Sequence, residues 1–346
     1  MPKDWKTLPY DLDLVQGARN AAIVCLRVQP GERVVLITDR QCLPIGAALH
    51  EQFAAVGADV VPFVLEEVAS RPLDGFPDVI AAELERADVS CFAAGAQERE
   101  LKARIAMTAI VNRRHIRHAH MVNITPRIMV EGMRADFLKV DALSRWVLER
   151  ATPAKKLTAT TPAGTRLTAT FSPRLKWLKT SGIITREKWG NLPGGEVFTA
   201  PARVDGTYVV DGVLGDWLAP KYGDMQKHPL SVDIENSRIT AIRCDRPEIV
   251  ADFKAYTSTD ANSNRVGELA LGTNLAVQNV IGQILQDEKL PGLHLAFGHP
   301  YAEHTGADWK SSTHIDIVGR SFDVEIDGVP IMKNSRYLVN YDTLAG

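Results

Sequence analysis

Strand-like and helix-like segments alternate through the first 125 residues, and this alternation constrains the chain more than any single motif. Arg33-Val34-Val35-Leu36-Ile37-Thr38-Asp39 is a short β-branched run entered through the turn Gln29-Pro30-Gly31-Glu32, the pattern of a strand buried on both faces. Residues 12–25 before it and 44–56 after it carry apolar positions at helical spacing. The second segment has Pro44 in its first turn, where the missing N–H would be unbonded anyway. The series continues with a strand over 60–64, a helix over 78–86, a strand over 88–94, a helix over 98–112 and a strand over 120–124. Strands separated by helices pair in parallel, with the helices on the sheet faces. No G-x-G-x-x-G follows the first strand and no G-x-x-x-x-G-K-[ST] occurs, so this half reads as an α/β domain without a nucleotide to bind.

The pattern changes near residue 150, and the chain is divided there into an α/β domain (1–150) and a β-rich α+β domain (151–346) that carries the metal-binding chemistry. Leu157-Thr158-Ala159-Thr160 and Leu167-Thr168-Ala169-Thr170 alternate with a period of two around an Ala163-Gly164 turn, as a hairpin does. Strand signals recur at 207–210, 230–234, 238–243 and 321–326, with helices expected over 247–255 and 275–286. Forty basic against 42 acidic residues leave a formal charge of −2. That balance supplies no general attraction to nucleic acid or to an anionic membrane. Four cysteines, none in a C-x-x-C pair, are too few for a disulfide framework in a chain of this length. The polar start Met1-Pro2-Lys3-Asp4 is followed by no apolar signal core, and the expected location is cytoplasmic.

The chemistry lies in the second half. Glu196 enters a strand from the loop Pro193-Gly194-Gly195. Glu268 sits inside the apolar run Val266–Leu271, where an unpaired carboxylate is costly. His294 opens His294-Leu295-Ala296-Phe297-Gly298, followed by Tyr301, and His314 precedes Asp316 by two. On a strand, residues two apart share a face, so His314 and Asp316 can converge on one cation. Taken singly, Glu196 reads equally as a turn residue and His314-x-Asp316 as a surface hydrogen-bonded pair. Taken together, carboxylates and imidazoles without thiolate suit Zn²⁺, Mn²⁺, Co²⁺ or Fe²⁺. Two glutamates, two histidines and an aspartate exceed what one tetrahedral ion takes, so two cations sharing a carboxylate and a water are the natural count.

These motifs, in this order, resemble the M29 (thermophilic aminopeptidase) metallopeptidases: Gly194-Gly195-Glu196-Val197-Phe198-Thr199, Gly267-Glu268, His294-x-Ala296-x-Gly298, Tyr301 and His314-x-Asp316. The stretches Gly31–Ile37 and Trp177–Gly182 look similar too. The resemblance implies that Glu196, Glu268, His294, His314 and Asp316 are metal ligands and that Tyr301 is catalytic. It further implies two divalent ions (Zn, Co or Mn), a peptide or small-molecule substrate, and a homodimer with an enclosed active site. Glu268 would take the proton of the attacking water, and Tyr301 would donate to the oxyanion. The same superfamily holds Fe²⁺-dependent ring-cleaving enzymes similar to 2,5-dihydroxypyridine 5,6-dioxygenase. These keep the H-x-D pair but replace the two glutamates, both present here. The expected activity is therefore metal-dependent hydrolysis, with a mononuclear Fe(II) dioxygenase as the alternative. His299 and His304 are additions around the tyrosine without an assigned role.

Two other features read as structural. The basic run Arg113-Arg114-His115-Ile116-Arg117-His118-Ala119-His120 is expected to form a solvated face at a helix C-terminus, where cations are favoured. The six tryptophans show no regular spacing and read as core or interface aromatics, with Trp309 a candidate pocket residue.

Overall fold

The structure is a computed structural model that describes residues 4–97 and 99–344. Met1–Lys3 and Glu98, the expected start of one helix, lie outside the described residues. The chain forms two compact units, Met1–Leu138 with Gly182–Gly194 and Lys139–Ser181 with Gly195–Gly346. The division falls between Leu138 and Lys139, in the first turn of the helix Phe137–Ala151, rather than near residue 150. Leu143, Val147 and Ala151 of that helix recur every four residues and pack into the core of the second unit, which ties the helix to that unit.

The first unit holds a five-stranded parallel sheet. Its order is Asp59–Val64, Arg33–Thr38, Val89–Ala93, Arg117–His120 and Gly190–Asn191. Leu43–Ala55, Asp78–Leu84 and Leu101–Arg114 are the intervening helices. Val34 to Ile37 and Val89 to Ala93 are buried throughout, as strands covered on both faces require.

The fourth strand corrects two expectations. It runs over Arg117–His120, not 120–124, and it takes up the second half of the basic run. Arg113 and Arg114 end the helix in solvent, and His115 turns the chain in a left-handed conformation. Arg117 then points inward, donating to the Leu26 and Arg27 carbonyls and pairing with Glu32. His118 lies 2.8 Å from the Ser90 hydroxyl, and burial pushes its imidazole down to about 3. His120, also driven down by burial, stacks on Phe92. Two neutral imidazoles in a parallel sheet are core residues, not a solvated face.

The second unit contains two antiparallel sheets. The eight-stranded one includes the hairpin Lys156–Thr160 and Arg166–Thr170, as expected. The six-stranded one is ordered Val213–Leu214, His314–Val318, Gly292–Gly298, Val266–Gly272, Glu196–Thr199 and Leu178–Thr180. Leu269, Leu271, Leu293, Leu295, Phe297, Ile315 and Ile317 from this sheet share one core with Leu157, Ala169, Val204, Tyr208 and Val232 from the other.

The helix expected over 275–286 is largely absent. Only Ile284–Asp287 is helical. Gly282 adopts φ +77°, and the Asp287 carboxylate accepts from the Ile281 and Gln283 backbone N–H groups. A buried side chain thus takes over backbone groups that a helix would have satisfied internally. Among the described residues no helix is long and apolar enough to cross a membrane. All four cysteines are free thiols.

Gly298 locks the two histidine-bearing strands together. Its φ is +107°, and a β-carbon there would lie 2.2 Å from the Thr313 carbonyl oxygen. Gly298→Ala is expected to cost roughly 2–3 kcal/mol of stability, read as a lower urea midpoint. An unchanged midpoint would contradict the packing described.

Candidate metal centre

Strand alternation sorts the six-stranded sheet into a core face and a polar face. Leu269, Leu271, Leu295, Ile315 and Ile317 point into the core, so Glu268, His294, His314 and Asp316 are carried on the opposite face. Each has a small cross-strand partner on at least one side. Glu268 and Asp316 both lie opposite Ala296, His294 opposite Ala270, His314 opposite Gly298, and Glu196 opposite Gly272. Alanine and glycine between the ligand-type side chains leave room above the sheet.

All five residues singled out in the sequence meet there. His294 Nε2 is 3.6 Å from both Glu196 Oε2 and Glu268 Oε1. His314 Nε2 is 3.4 Å from Asp316 Oδ1 and 3.9 Å from Glu268 Oε2. The Glu268 carboxylate therefore lies between two imidazoles. Two sets have one ligand atom per residue within 4.8 Å of each other: Glu196, Glu268 and His294, and Glu288, His294 and Asp316. His294 Nε2 is buried and makes no hydrogen bond. An orphaned imidazole nitrogen among clustered carboxylates is the donor set of a divalent cation.

Electrostatics separates the carboxylates. Burial would raise Glu196, but Lys289 and His294 outweigh it and hold its carboxyl below the ordinary value. Asp316 is likewise lowered, with His314 overcoming desolvation. Glu268 goes the other way: burial dominates, and Glu196 and Asp316 add repulsion. The acid in the middle is thus the most basic of the three by environment.

Glu288 and Lys289 were not anticipated. Both lie just beyond the segment read as a helix over 275–286, and the only sequence signal is the charged triplet Asp287-Glu288-Lys289 ahead of the His294 strand. Lys289 is buried, and its ammonium donates to Glu196 Oε1 at 2.7 Å and to Glu288. The Thr180 hydroxyl donates to the same Glu196 oxygen at 2.9 Å. Burial raises the Glu288 carboxyl to about 8.

Tyr301 stands at the rim. Its backbone is left-handed (φ +50°), which turns the chain back after the His294 strand. Its ring centroid lies 5.0 Å from that of His314 and 6.0 Å from that of Phe198. Desolvation, then the charge of Glu268 and Asp316, pushes the phenol well above its ordinary value, while 36% of the residue stays exposed. His299 supports the site through its backbone: its carbonyl accepts from His314 Nδ1 at 3.0 Å, directing Nε2 toward the carboxylates. The His299 ring accepts from the Tyr301 N–H. His304 is exposed beside Glu303. Trp309 is buried beneath the Arg265 guanidinium, 3.5 Å from its ring centroid.

Residues 144–335, more than half of the chain, match the family model of thermophilic metalloproteases (M29). The chain belongs to this M29 family. The fold is shared with 2,5-dihydroxypyridine dioxygenase from Pseudomonas putida KT2440 (TM-score 0.70, 16% identity, 96% of this chain and 98% of that one). It is shared equally with AmpT from Thermus thermophilus (TM-score 0.69, 19% identity, 94% and 99%). No curated protein matches by sequence.

Protons and a cation compete for this site. Burial alone would lower His314, but Asp316 and Glu268 raise it to about 10. An unfolded imidazole titrates near ~6.5. A raised folded value means that the stabilisation from protonated His314 is complete below about pH 6.5 and is lost as pH rises toward 10. A metal must displace that proton, so apparent divalent-metal affinity should rise with pH across the same window, with proton release. Chelator competition at about pH 6.5 and about pH 9 checks this. Affinity that is flat or falls with pH would contradict it.

Proposed function

We propose that the chain is a metal-dependent hydrolase of the aminopeptidase type, cleaving a peptide or small amide bond. The observation that carries this reading is the Glu268 carboxylate, buried on the polar face between His294 and His314 with a raised basicity. Hydrolysis needs a group to take a proton from water, and Glu268 is placed to do so.

Glu196, Glu268, His294, His314 and Asp316 would hold the metal. When bound, a divalent ion such as Zn²⁺, Co²⁺ or Mn²⁺ supplies a water acidic enough to react near neutral pH and polarises the scissile carbonyl. Glu268 accepts the proton of the attacking water and can pass it to the leaving amine. Tyr301, kept protonated by its surroundings, donates its hydroxyl to the developing oxyanion. The His299 carbonyl keeps His314 in one tautomer and orientation. The homodimer that the M29 resemblance implies belongs to the same reading, and sedimentation of the purified chain tests it.

A second reading rests on a different subset. His294, His314 and Asp316 make two imidazoles and one carboxylate, the donor set of non-haem Fe(II) oxygenases. It predicts Fe²⁺-dependent O₂ uptake with a dihydroxypyridine-like ring substrate and no amide cleavage.

Two variants test the hydrolase. Tyr301→Phe should keep metal content and KM while lowering kcat on aminoacyl amides by roughly 10²-fold or more. Wild-type kcat in that variant would reduce Tyr301 to a pocket wall. His314→Ala should lose activity together with bound metal, measured on the same sample by elemental analysis. Full activity at unchanged metal content would remove His314 from the site.

A further inference from the structure

The buried ammonium of Lys289 lies inside the carboxylate cluster, against Glu196 and Glu288. Its side chain is 1% exposed. The Glu196 oxygen it contacts also accepts from Thr180, so both lone-pair directions of Oε1 are in use. Only Glu196 Oε2 remains directed toward His294. Glu288 turns one oxygen to the same ammonium. A divalent ion bridging Glu196 Oε1 and Glu288 Oε1 would have to sit about 2.0–2.2 Å from the oxygens that already face the Lys289 ammonium. The two candidate ligand sets point the same way, because both draw on His294. Its Nε2 has a single lone pair and can bind one ion at a time.

We infer that Lys289 takes the place of a second cation, so that this chain binds one divalent ion per active site. The inference rests on the metal-centre reading above and changes its stoichiometry. A tethered ammonium supplies positive charge among the carboxylates, which lowers the cost of burying them together. It offers no open coordination position, so it cannot activate water. Lys289 is accordingly a positioning residue: it holds Glu196 in a one-oxygen binding mode and engages one oxygen of Glu288.

Metal counting tests this without reference to activity. The full-length chain is loaded with Mn²⁺, freed of excess metal, and measured by elemental analysis and electron paramagnetic resonance. The wild type should hold one Mn²⁺ per chain with the spectrum of an isolated ion. Lys289→Met, which removes the charge at similar volume, should hold two and show an exchange-coupled pair. Lys289→Arg should stay at one. Two ions in the wild type would overturn the inference and leave the metal-centre reading intact. A folded Lys289→Met protein that still binds one ion would overturn it as well. No bound metal in the wild type would overturn both. Should Lys289→Met fail to fold, the wild-type count and spectrum decide the matter alone.

Discussion

Four carboxylates crowd one face of a β-sheet, three from its strands and Glu288 from the loop beside it, and the structure of the second unit is organised around making that tolerable. Glu196, Glu268, Glu288 and Asp316 approach two imidazoles and one ammonium within a few ångströms. Like charges in a low-dielectric site repel strongly unless cations compensate them. Lys289, His294 and His314 supply part of the compensation, and a divalent ion held there would complete it. The apolar cost is met on the other side of the same strands. Leu269, Leu271, Leu295, Phe297, Ile315 and Ile317 anchor the sheet to its partner, which lets the polar face remain crowded with charge.

This arrangement also explains the small residues. A sheet face that leaves space above its candidate ligands keeps several of the neighbouring positions small. Ala270, Gly272, Ala296 and Gly298 occupy those positions. Gly298 has a second reason: the Thr313 carbonyl approaches so closely that no β-carbon fits. The strand that delivers His294 and the strand that delivers His314 are thereby held in one register. The Asp260 carboxylate reinforces this by accepting from Ser312 N–H and from the Ser311 and Ser312 hydroxyls just ahead of His314.

The first unit shows how far local pattern carries and where it stops. The strands at 33–38, 59–64 and 89–93 are β-branched runs bounded by turn residues, and such runs declare themselves. Arg117–His120 does not, because a strand written as Arg-His-Ala-His carries no apolar signal. Its burial depends on Glu32, Ser90 and two backbone carbonyls far away in sequence. The segment 275–286 fails in the opposite sense. Its apolar spacing resembles a helix, but Asp287 captures the backbone N–H groups instead.

The order of the motifs and the identity of five ligand-type residues were legible in the amino-acid sequence, because period-two spacing in strands puts His314 and Asp316 on one face and isolates Glu268 in an apolar run. The division of the chain into an α/β part and a strand-rich part was legible for the same reason: hydrophobic periodicity is local. What only the tertiary structure decided is which distant residues join the site. Glu288 and Lys289 sit on a loop whose course is set by Gly282 and Asp287, and Thr180 reaches Glu196 across a strand pair. Whether a charge is buried and what neutralises it depend on packing among distant segments, as with Glu196 and Lys289, 93 residues apart, a distance over which no periodicity in the chain carries information.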